Sequence, residues 1–191
     1  MKLVVVALES ELPGELPKGY AKLVTGVGKL NAAISLIQDF ERWGIRYDCV
    51  INYGTAGGLP EHKGNFYGVH RVAQRDMDCS EFDIDKYITP YSNDPKYIEC
   101  NVGHVNDISC VWDETITCGS GDSFSKPDEE FTVIDMEAYA LAKVCKKYNL
   151  PFYCFKYVTD SGCPEEWNKM KDKGACYFKD KVLTYNEEMN T

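Results

Sequence analysis

Three carboxylate side chains follow separate apolar segments of the chain and could do acid–base chemistry. Glu11 comes after the run KLVVVAL, Glu137 after EFTVID, and Asp160 after FYCFKYV. Carboxylates that share one cleft suit this chemistry, because burial and mutual repulsion can raise the pKa of one group while another stays ionised. Carboxylates also stabilise helix N-termini, so the pattern alone leaves that simpler role open for each of the three.

The segments around these carboxylates have the character of alternating strands and helices. Continuous apolar runs are typical of strands covered on both faces, and they predict strands at 2–8, 21–27, 48–53, 65–72, 130–135 and 152–158. Apolar residues at helical spacing predict helices at 29–43 and 136–148, and the charged tail from 165 onward is also predicted to be helical. Residues 81–114 have no clean period and are predicted to form loops and short strands.

The first predicted helix carries an apolar stripe and ends before a glycine. Gly44 is its stop signal. The apolar residues at helical spacing are Leu30, Ala33, Ile34, Ile37 and Phe40.

Alternating strands and helices predict an α/β fold with helices on both faces of a sheet. In such sheets, ligands bind beyond the carboxyl ends of the strands. If the strands are parallel neighbours, Glu11, Glu137 and Asp160 converge on one rim, beside the glycine turn GTAGG. The strand-end rule therefore selects a candidate site without any motif.

Length, composition and charge exclude several classes. The chain has 191 residues, which predicts a single domain over 1–191, and 44% apolar with 27% charged residues argues against disorder. No run approaches the roughly 18 apolar residues of a membrane helix, and the N-terminus lacks a signal-peptide cleavage site. A net charge of −9 makes nucleic acid an unexpected partner. Nine scattered cysteines without a CxxC pair indicate reduced thiols in the cytoplasm.

Other chemistries have weaker support. The segment TGVGKLN follows a predicted strand, but Asn31 stands in place of the third glycine of a dinucleotide fingerprint. Only three histidines and no GxSxG elbow argue against a hydrolase triad. Asp76 and Asp78 in QRDMD could ligate a metal, although a solvated acidic turn is the simpler interpretation. We therefore expect neither a metal nor a cofactor.

Several motifs, in a fixed order, resemble those of one enzyme superfamily. They are VVVALESE, TGVGKLNAA, INYGTAGGL, QRDMD, CGSGDSF, VIDMEAYALAKVC and PFYCFKYVTDSG. Together they resemble the purine nucleoside phosphorylases and nucleosidases, and among these the 5′-methylthioadenosine/S-adenosylhomocysteine nucleosidases. The resemblance implies a three-layer α/β sandwich with a central mixed, mostly parallel sheet, here in a shortened form.

The resemblance implies a purine nucleoside as the small-molecule substrate and hydrolysis of its N-glycosidic bond. Asp160 would protonate the purine, and Glu11 would activate the attacking water. Glu137 and the backbone of Met136 would hold the ribose, and Phe124 would stack on the purine beside Ser123. The segment from Gly54 to Gly57, with Thr55 and Ala56, would pass close to the sugar and the water.

The sequence departs from the family at two places. Lys156 stands where nucleosidases commonly have an arginine. Lysine keeps the positive charge but lacks the planar guanidinium group that can donate two parallel hydrogen bonds. Val69 or His70 falls where many members have Ser or Thr near the sugar.

Two alternatives to hydrolysis remain open at this point. A phosphorylase would need arginines for phosphate, and Asn52 replaces one of them, although Arg71 and Arg75 could substitute. A non-catalytic nucleoside-binding protein is the second alternative. The family also implies a homodimer.

Overall fold

The structure is a computed structural model that describes residues 1–102, 111–112, 115–127 and 129–183. Its strands are β1 (Lys2–Val6), β2 (Tyr20–Val24), β3 (Cys49–Gly58), β4 (Phe66–Gly68), β5 (Arg71–Gln74), β6 (Ile98–Glu99), β7 (Val111–Trp112), β8 (Thr117–Ser120), β9 (Val133–Asp135) and β10 (Phe152–Asp160). Its α-helices are α1 (Lys29–Trp43), α2 (Ala138–Lys147) and α3 (Pro164–Phe178). Short 3-10 turns cover Glu9–Glu11, Pro60–His62 and Ser80–Phe82, and a π-helical turn, Lys179–Leu183, follows α3.

The strands form one mixed, mostly parallel sheet. Its order is β6-β5-β8-β9-β3-β10-β4-β7, and β1 pairs with both β3 and β2. The pairings β1–β2, β1–β3, β3–β10, β4–β7, β5–β8 and β8–β9 are parallel. The pairings β3–β9, β4–β10 and β5–β6 are antiparallel. The long strand β3 is central, since it contacts β1, β9 and β10.

Helices cover both faces of this sheet, which confirms the predicted three layers. Successive side chains of a strand point to opposite faces. Leu3 and Val5 of β1 pack in the cluster that includes α1 and α2, whereas Val4 and Val6 pack in the cluster that includes Phe178 of α3. Two separate cores therefore lie on the two sides of β1, as expected for a continuous apolar strand.

Helix α1 has the predicted extent, and its buried face includes part of the apolar stripe. Ala32, Leu36 and Phe40 are the buried residues, at the i, i+4 and i+8 spacing of one helix face. Ala33 and Ile37 pack against the same core, whereas Leu30 is 70% exposed and Ile34 is 43% exposed. Because α1 has apolar residues on two sides, its sequence allows two orientations on the sheet. Packing against α2 determines which side is buried.

Several strands differ in extent from the predictions. Strand β3 runs on through the glycine turn to Gly58, and the predicted strand at 65–72 is two strands, β4 and β5. Strand β8 was not predicted, because its residues TCGS are small and lack an apolar pattern. The described part of the 81–114 region holds short strands and a 3-10 turn, and residues 103–110 and 113–114 lie outside the described residues.

Helix α3 confirms that the charged tail is helical, up to Phe178. The tail beyond residue 183 lies outside the described residues. In the described ranges, no helix has both the length and the apolar character to cross a bilayer.

Candidate active site

A cavity of about 320 Å³ lies at the strand ends that the sequence singled out. Its walls come from the segment after β1, from the end of β3, from the β9–α2 junction and from the end of β10. This is the position at which open α/β sheets bind ligands. Of the predicted site residues, the cavity is lined by Glu11, Thr55, Ala56, Gly57, Ser123, Phe124, Met136, Glu137 and Asp160.

Glu11 is buried, with 4% of its surface exposed, and its carboxylate is held by four hydrogen bonds. The N–H and hydroxyl of Thr55 donate to Oε1 at 2.8 and 2.7 Å. The N–H groups of Ala7 and Leu8 donate to Oε2 at 3.2 and 3.1 Å. A 3-10 turn directly after β1 places Glu11 so that it faces β3, and the four donors fix its position.

Lys156 and Asp135 form a buried ion pair, of which only Asp135 lines the cavity. Lys156 Nζ lies 2.7 Å from Asp135 Oδ2, and both side chains are 1% exposed. Lys156 does not line the cavity, so the expectation that it contacts substrate is not met. Lys156 also lies close to Gly54, where an added Cβ would be 3.2 Å from Lys156 Nζ and 3.5 Å from Glu11 Oε1. Lys156 is directed to Asp135 because an unpaired charge is costly in the core.

The Lys156–Asp135 pair opposes the effect of burial on both partners. Burial is the largest single effect on the pKa of Asp135 and acts to raise it, but the charge of Lys156 and the hydrogen bonds from Lys156, Ser120 and Ala138 together hold that pKa below its usual range. Burial is also the largest single effect on the pKa of Lys156 and acts to lower it, but the charge of Asp135 and the other acidic groups nearby together raise that pKa well above its usual range. Both groups are therefore charged at neutral pH.

Asp135 also organises the start of α2. Its Oδ2 accepts from the N–H of Ala138 at 2.9 Å, and its Oδ1 accepts from the Ser120 hydroxyl at 2.5 Å. Helix α2 begins at Ala138, two residues later than predicted. Met136 and Glu137 therefore stand in the turn between β9 and α2, where both reach the cavity.

Glu137 is buried, with 8% of its surface exposed. Its Oε1 accepts a hydrogen bond from the N–H of Gly28 at 2.8 Å, at the start of α1. Burial, with a further contribution from the charge of Asp135, raises the pKa of Glu137 to about 8. The attraction of Lys156 and the Gly28 hydrogen bond oppose this rise without cancelling it. A carboxyl with such a pKa changes protonation state within the physiological range.

Asp160 is buried at the end of β10, with 2% of its surface exposed. Its Oδ2 accepts from the Thr159 hydroxyl and its Oδ1 from the N–H of Gly162, both at 2.8 Å. Gly162 has a φ of +83°, and an added Cβ would lie 2.8 Å from Lys126 Cα. Only glycine fits this turn, which places Asp160 opposite the segment around Ser125.

The outer part of the cavity is formed by Ser123 and Phe124. Phe124 is 54% exposed, which leaves its ring free to meet a planar ligand. Arg75 also lines the cavity, and its guanidinium donates to the carbonyls of Ser123 and Gly121. This arginine therefore holds the 121–123 loop, and it is the only cation among the described residues that line the cavity.

Two of the predicted residues lie elsewhere. Val69 is fully buried in the core, and its N–H donates to the carbonyl of Cys154 at 2.8 Å. His70 Nε2 lies 2.9 Å from Glu99. Neither lines the cavity: both lie between the end of β4 and the start of β5, whereas Arg75, just after the carboxyl end of β5, does line it.

The structure also adds residues that sequence reasoning did not single out. Trp167 and Pro164, in the first turns of α3, line the cavity, as does Asp135. The sequence did hold a signal for these residues. A helix that starts with proline follows Asp160 closely in the sequence and carries one tryptophan in a charged stretch. Across the described ranges, no group of three or more His, Cys, Asp or Glu side chains is arranged to hold a metal ion.

Comparison with known proteins identifies related sequences. A profile of the phosphorylase superfamily matches residues 18–182. A 5′-methylthioadenosine/S-adenosylhomocysteine nucleosidase of Bacillus subtilis (strain 168) is 29% identical over 181 residues, which cover 84% of this chain and 78% of the relative. The enzyme of the same name from Geobacillus sp. (strain WCH70) is 30% identical and covers 85% and 78% of the two chains.

Comparison with solved structures gives the same architecture. The 5′-methylthioadenosine/S-adenosylhomocysteine nucleosidase of S. pneumoniae, solved with a transition-state inhibitor, superposes with a TM-score of 0.77. The match covers 99% of this chain and 100% of that chain at 18% identity. The likeness confirms the predicted α/β fold.

Proposed function

The chain belongs to the phosphorylase superfamily, and from that premise we propose that it is a purine nucleosidase. It hydrolyses the N-glycosidic bond of methylthioadenosine, S-adenosylhomocysteine or a related adenosine derivative, and it releases free adenine and a ribose derivative. Relatives with 28–30% identity carry the name of this activity.

One observation supports this function above the others. Glu11, Glu137 and Asp160 are each buried, lie on three different strand ends, and line one cavity. Three carboxylates that only stabilised helix N-termini would have no reason to meet in one cavity. Cleavage of a glycosidic bond, in contrast, needs an acid and a base on opposite sides of the sugar.

The reaction divides between Asp160 and Glu11. The bond between the base and C1′ breaks through an oxocarbenium-like transition state. Asp160 gives a proton to the purine N7, so the protonated base takes the electron pair of the breaking bond and leaves as neutral adenine. Glu11 takes a proton from the water whose oxygen attacks C1′. Each positioned proton transfer contributes about 10²–10⁴ in rate.

The remaining lining residues position the substrate. Glu137 accepts hydrogen bonds from the ribose hydroxyls, and Phe124 stacks on the purine. The glycine-containing end of β3, at Ala56–Gly57, lets the sugar approach the backbone closely. Asp135 and Lys156 support this arrangement, since Asp135 accepts a hydrogen bond at the start of α2, pairs with Lys156 and so holds the turn that carries Glu137.

Hydrolysis is favoured over phosphorolysis by the cations near the cavity. Arg71 stacks on Tyr97, 4.3 Å from the ring centroid, and does not line the cavity. Asn52 donates to the carbonyl of Val5 in the sheet. Arg75 is at the cavity, but its Nη2 donates to the carbonyls of Gly121 and Ser123. A phosphate dianion would therefore meet several carboxylates and a single arginine, one nitrogen of which already holds the 121–123 loop.

The test is incubation of the purified protein with methylthioadenosine, with and without phosphate, followed by chromatography. We expect free adenine and free methylthioribose, at a rate that phosphate does not change. A phosphate-dependent rate with a ribose 1-phosphate product would identify a phosphorylase. The absence of any free base, while the nucleoside still binds, would identify a non-catalytic binding protein.

We further propose a homodimer formed through the exposed face of α1. Leu30 and Ile34, in the first turns of this helix, are 70% and 43% exposed, and Val27, just before the helix, is 41% exposed. Val27 also lines the cavity, so a partner on this face would lie beside the substrate.

For the location we propose the cytoplasm, because the described cysteines are all free.

A further inference from the structure

A hydrogen-bond chain connects helix α3 to the Glu11 carboxylate. The indole Nε1–H of Trp167 donates to the Thr55 hydroxyl oxygen at 2.9 Å. The Thr55 hydroxyl donates in turn to Glu11 Oε1 at 2.7 Å. Trp167 is half-buried and its ring lines the same cavity. Trp167 and Thr55 are 112 positions apart in the sequence, so only the tertiary fold brings them into hydrogen-bond contact.

The chemistry of the donors gives this chain a direction. An indole N–H can only donate, and a hydroxyl has one proton with two lone pairs. Because Trp167 occupies a lone pair of the Thr55 oxygen, the hydroxyl proton is directed to Glu11. Without the indole, the hydroxyl could rotate and donate elsewhere, and Glu11 would lose one of its four donors for part of the time.

The start of α3 holds both reacting carboxylates. Gly162, two residues before the helix, donates its N–H to Asp160 Oδ1 at 2.8 Å. Glu166 anchors the same segment, since its carboxylate accepts from the N–H of Ser161 and pairs with Lys63 at 2.5 Å. Trp167 is the next residue along the helix. One helix start therefore fixes Asp160 through the backbone and Glu11 through a side chain.

We propose that Trp167 is a positioning residue for Glu11, which acts through Thr55 to hold the carboxylate in the orientation that activates water. The inference rests on the proposed nucleosidase function. It assigns to the indole N–H a role in turnover, beyond the apolar wall that the ring supplies.

The kinetic test compares Trp167→Phe, Thr55→Val and the double variant with the wild type. Phenylalanine keeps an aromatic ring but has no donor, and valine keeps the shape of threonine but has no hydroxyl. Loss of one hydrogen bond corresponds to about a threefold to tenfold effect, so we expect Trp167→Phe to lower kcat by that factor with KM unchanged. In the Thr55→Val background, the Trp167 substitution is expected to have no further effect on kcat.

The matched control is Trp43→Phe. Trp43 is 58% exposed at the end of α1 and stacks on Arg46, far from the cavity lining. This variant should keep the wild-type kcat and KM. If the wild type and this control released no base, the proposed nucleosidase function itself would fail, before any Trp167 variant is compared.

Two kinetic results would overturn the positioning role while the function stands. One is a rise in KM at constant kcat for Trp167→Phe, which would assign the ring to substrate packing alone. The other is the same loss of kcat with and without the Thr55 hydroxyl, which would show that the two residues act independently.

A spectroscopic readout tests the hydrogen bond without substrate. In ¹⁵N-labelled protein, the indole N–H resonance of Trp167 is assigned by its absence from Trp167→Phe. We expect slow exchange of this proton with water in the wild type and in Trp43→Phe, and faster exchange in Thr55→Val. An exchange rate that the Thr55 substitution leaves unchanged would contradict the hydrogen-bond chain.

Discussion

Glu137 Oε1 accepts a hydrogen bond from the backbone N–H of Gly28 at 2.8 Å, across 109 positions of sequence. Gly28 has a φ of +98° and stands at the N-terminus of α1, so the carboxyl lies at a helix start that is not its own. The bond joins the β9–α2 turn to the segment between β2 and α1. It places the candidate ribose-binding group within a low-dielectric corner that also contains the Lys156–Asp135 pair.

The pKa of Glu137 predicts that substrate binding depends on pH. Since the pKa is raised to about 8, the group is mostly protonated at pH 7 in the free protein. Ribose hydroxyls donate better to a carboxylate than to a carboxylic acid, so we expect kcat/KM to increase as pH rises through about 8. Glu137→Gln should lower kcat/KM and remove this rise. Steady-state kinetics from pH 6 to 9 would measure both effects.

The same pKa predicts the sign of a stability effect. The folded state holds the Glu137 proton more tightly than the unfolded chain, whose ordinary pKa is 4.5. The stabilisation is therefore complete below pH 4.5 and is lost as pH rises towards about 8, by up to about 1.4 kcal/mol per pH unit. Urea unfolding should show this decline in the wild type but not in Glu137→Gln. Glu61→Gln, an exposed control, should decline like the wild type.

The two reacting carboxylates should be needed for turnover but not for folding. Asp160→Asn and Glu11→Gln keep the size of each side chain and remove the proton transfer. We expect each to lower kcat by about 10²-fold or more, with a circular dichroism spectrum like that of the wild type. Glu15→Gln and Asp172→Asn, at exposed acids, are the matched controls. Near-full activity in either site variant would remove that residue from its proposed role.

The buried ion pair should contribute to stability mainly through the cost of breaking it. Lys156→Met keeps an unbranched side chain of similar length but leaves Asp135 charged and unpaired in the core. We expect a loss of about 3–5 kcal/mol in the free energy of unfolding at pH 7, measured with urea. Adding Asp135→Asn should recover part of that loss, because the uncompensated charge is gone.

The control for this prediction is Lys171→Met on α3. Lys171 pairs at 3.0 Å with Asp172, whose side chain is 75% exposed. Such a pair contributes about 0–1 kcal/mol. Equal losses in the free energy of unfolding for Lys156→Met and Lys171→Met would show that burial of the Lys156 pair does not increase the cost of breaking it.

The exposed face of α1 should govern assembly. Leu30→Glu places a charge on the proposed dimer contact, so we expect it to convert a dimer into a monomer in analytical ultracentrifugation. Ile45→Glu changes another exposed apolar residue, 50% exposed beyond the end of α1, and should leave the mass unchanged. A wild-type protein that sediments as a monomer at micromolar concentration would refute the proposed dimer.

Much of the architecture could be predicted because its signals are local. The apolar run at 2–8 and the helical period at 29–43 each depend on neighbouring residues, and β1 and α1 follow them closely. The alternation of such segments predicted the α/β layers. Strand β8 could not be predicted, since Thr117–Ser120 owes its conformation to pairing with β5 and β9 and not to its own residues.

The sequence by itself determined the long strands and the three helices in their order and, through the strand-end rule, which carboxylates would stand at the rim. Only the tertiary structure decided which groups each of them faces. It directed Lys156 to Asp135 instead of the cavity, brought Trp167 to Thr55, and buried Glu137 beside Asp135. The physical reason is that burial, charge pairing and hydrogen bonding depend on partners tens of residues away in the sequence. Hydrophobic periodicity, in contrast, depends only on the residues of each segment.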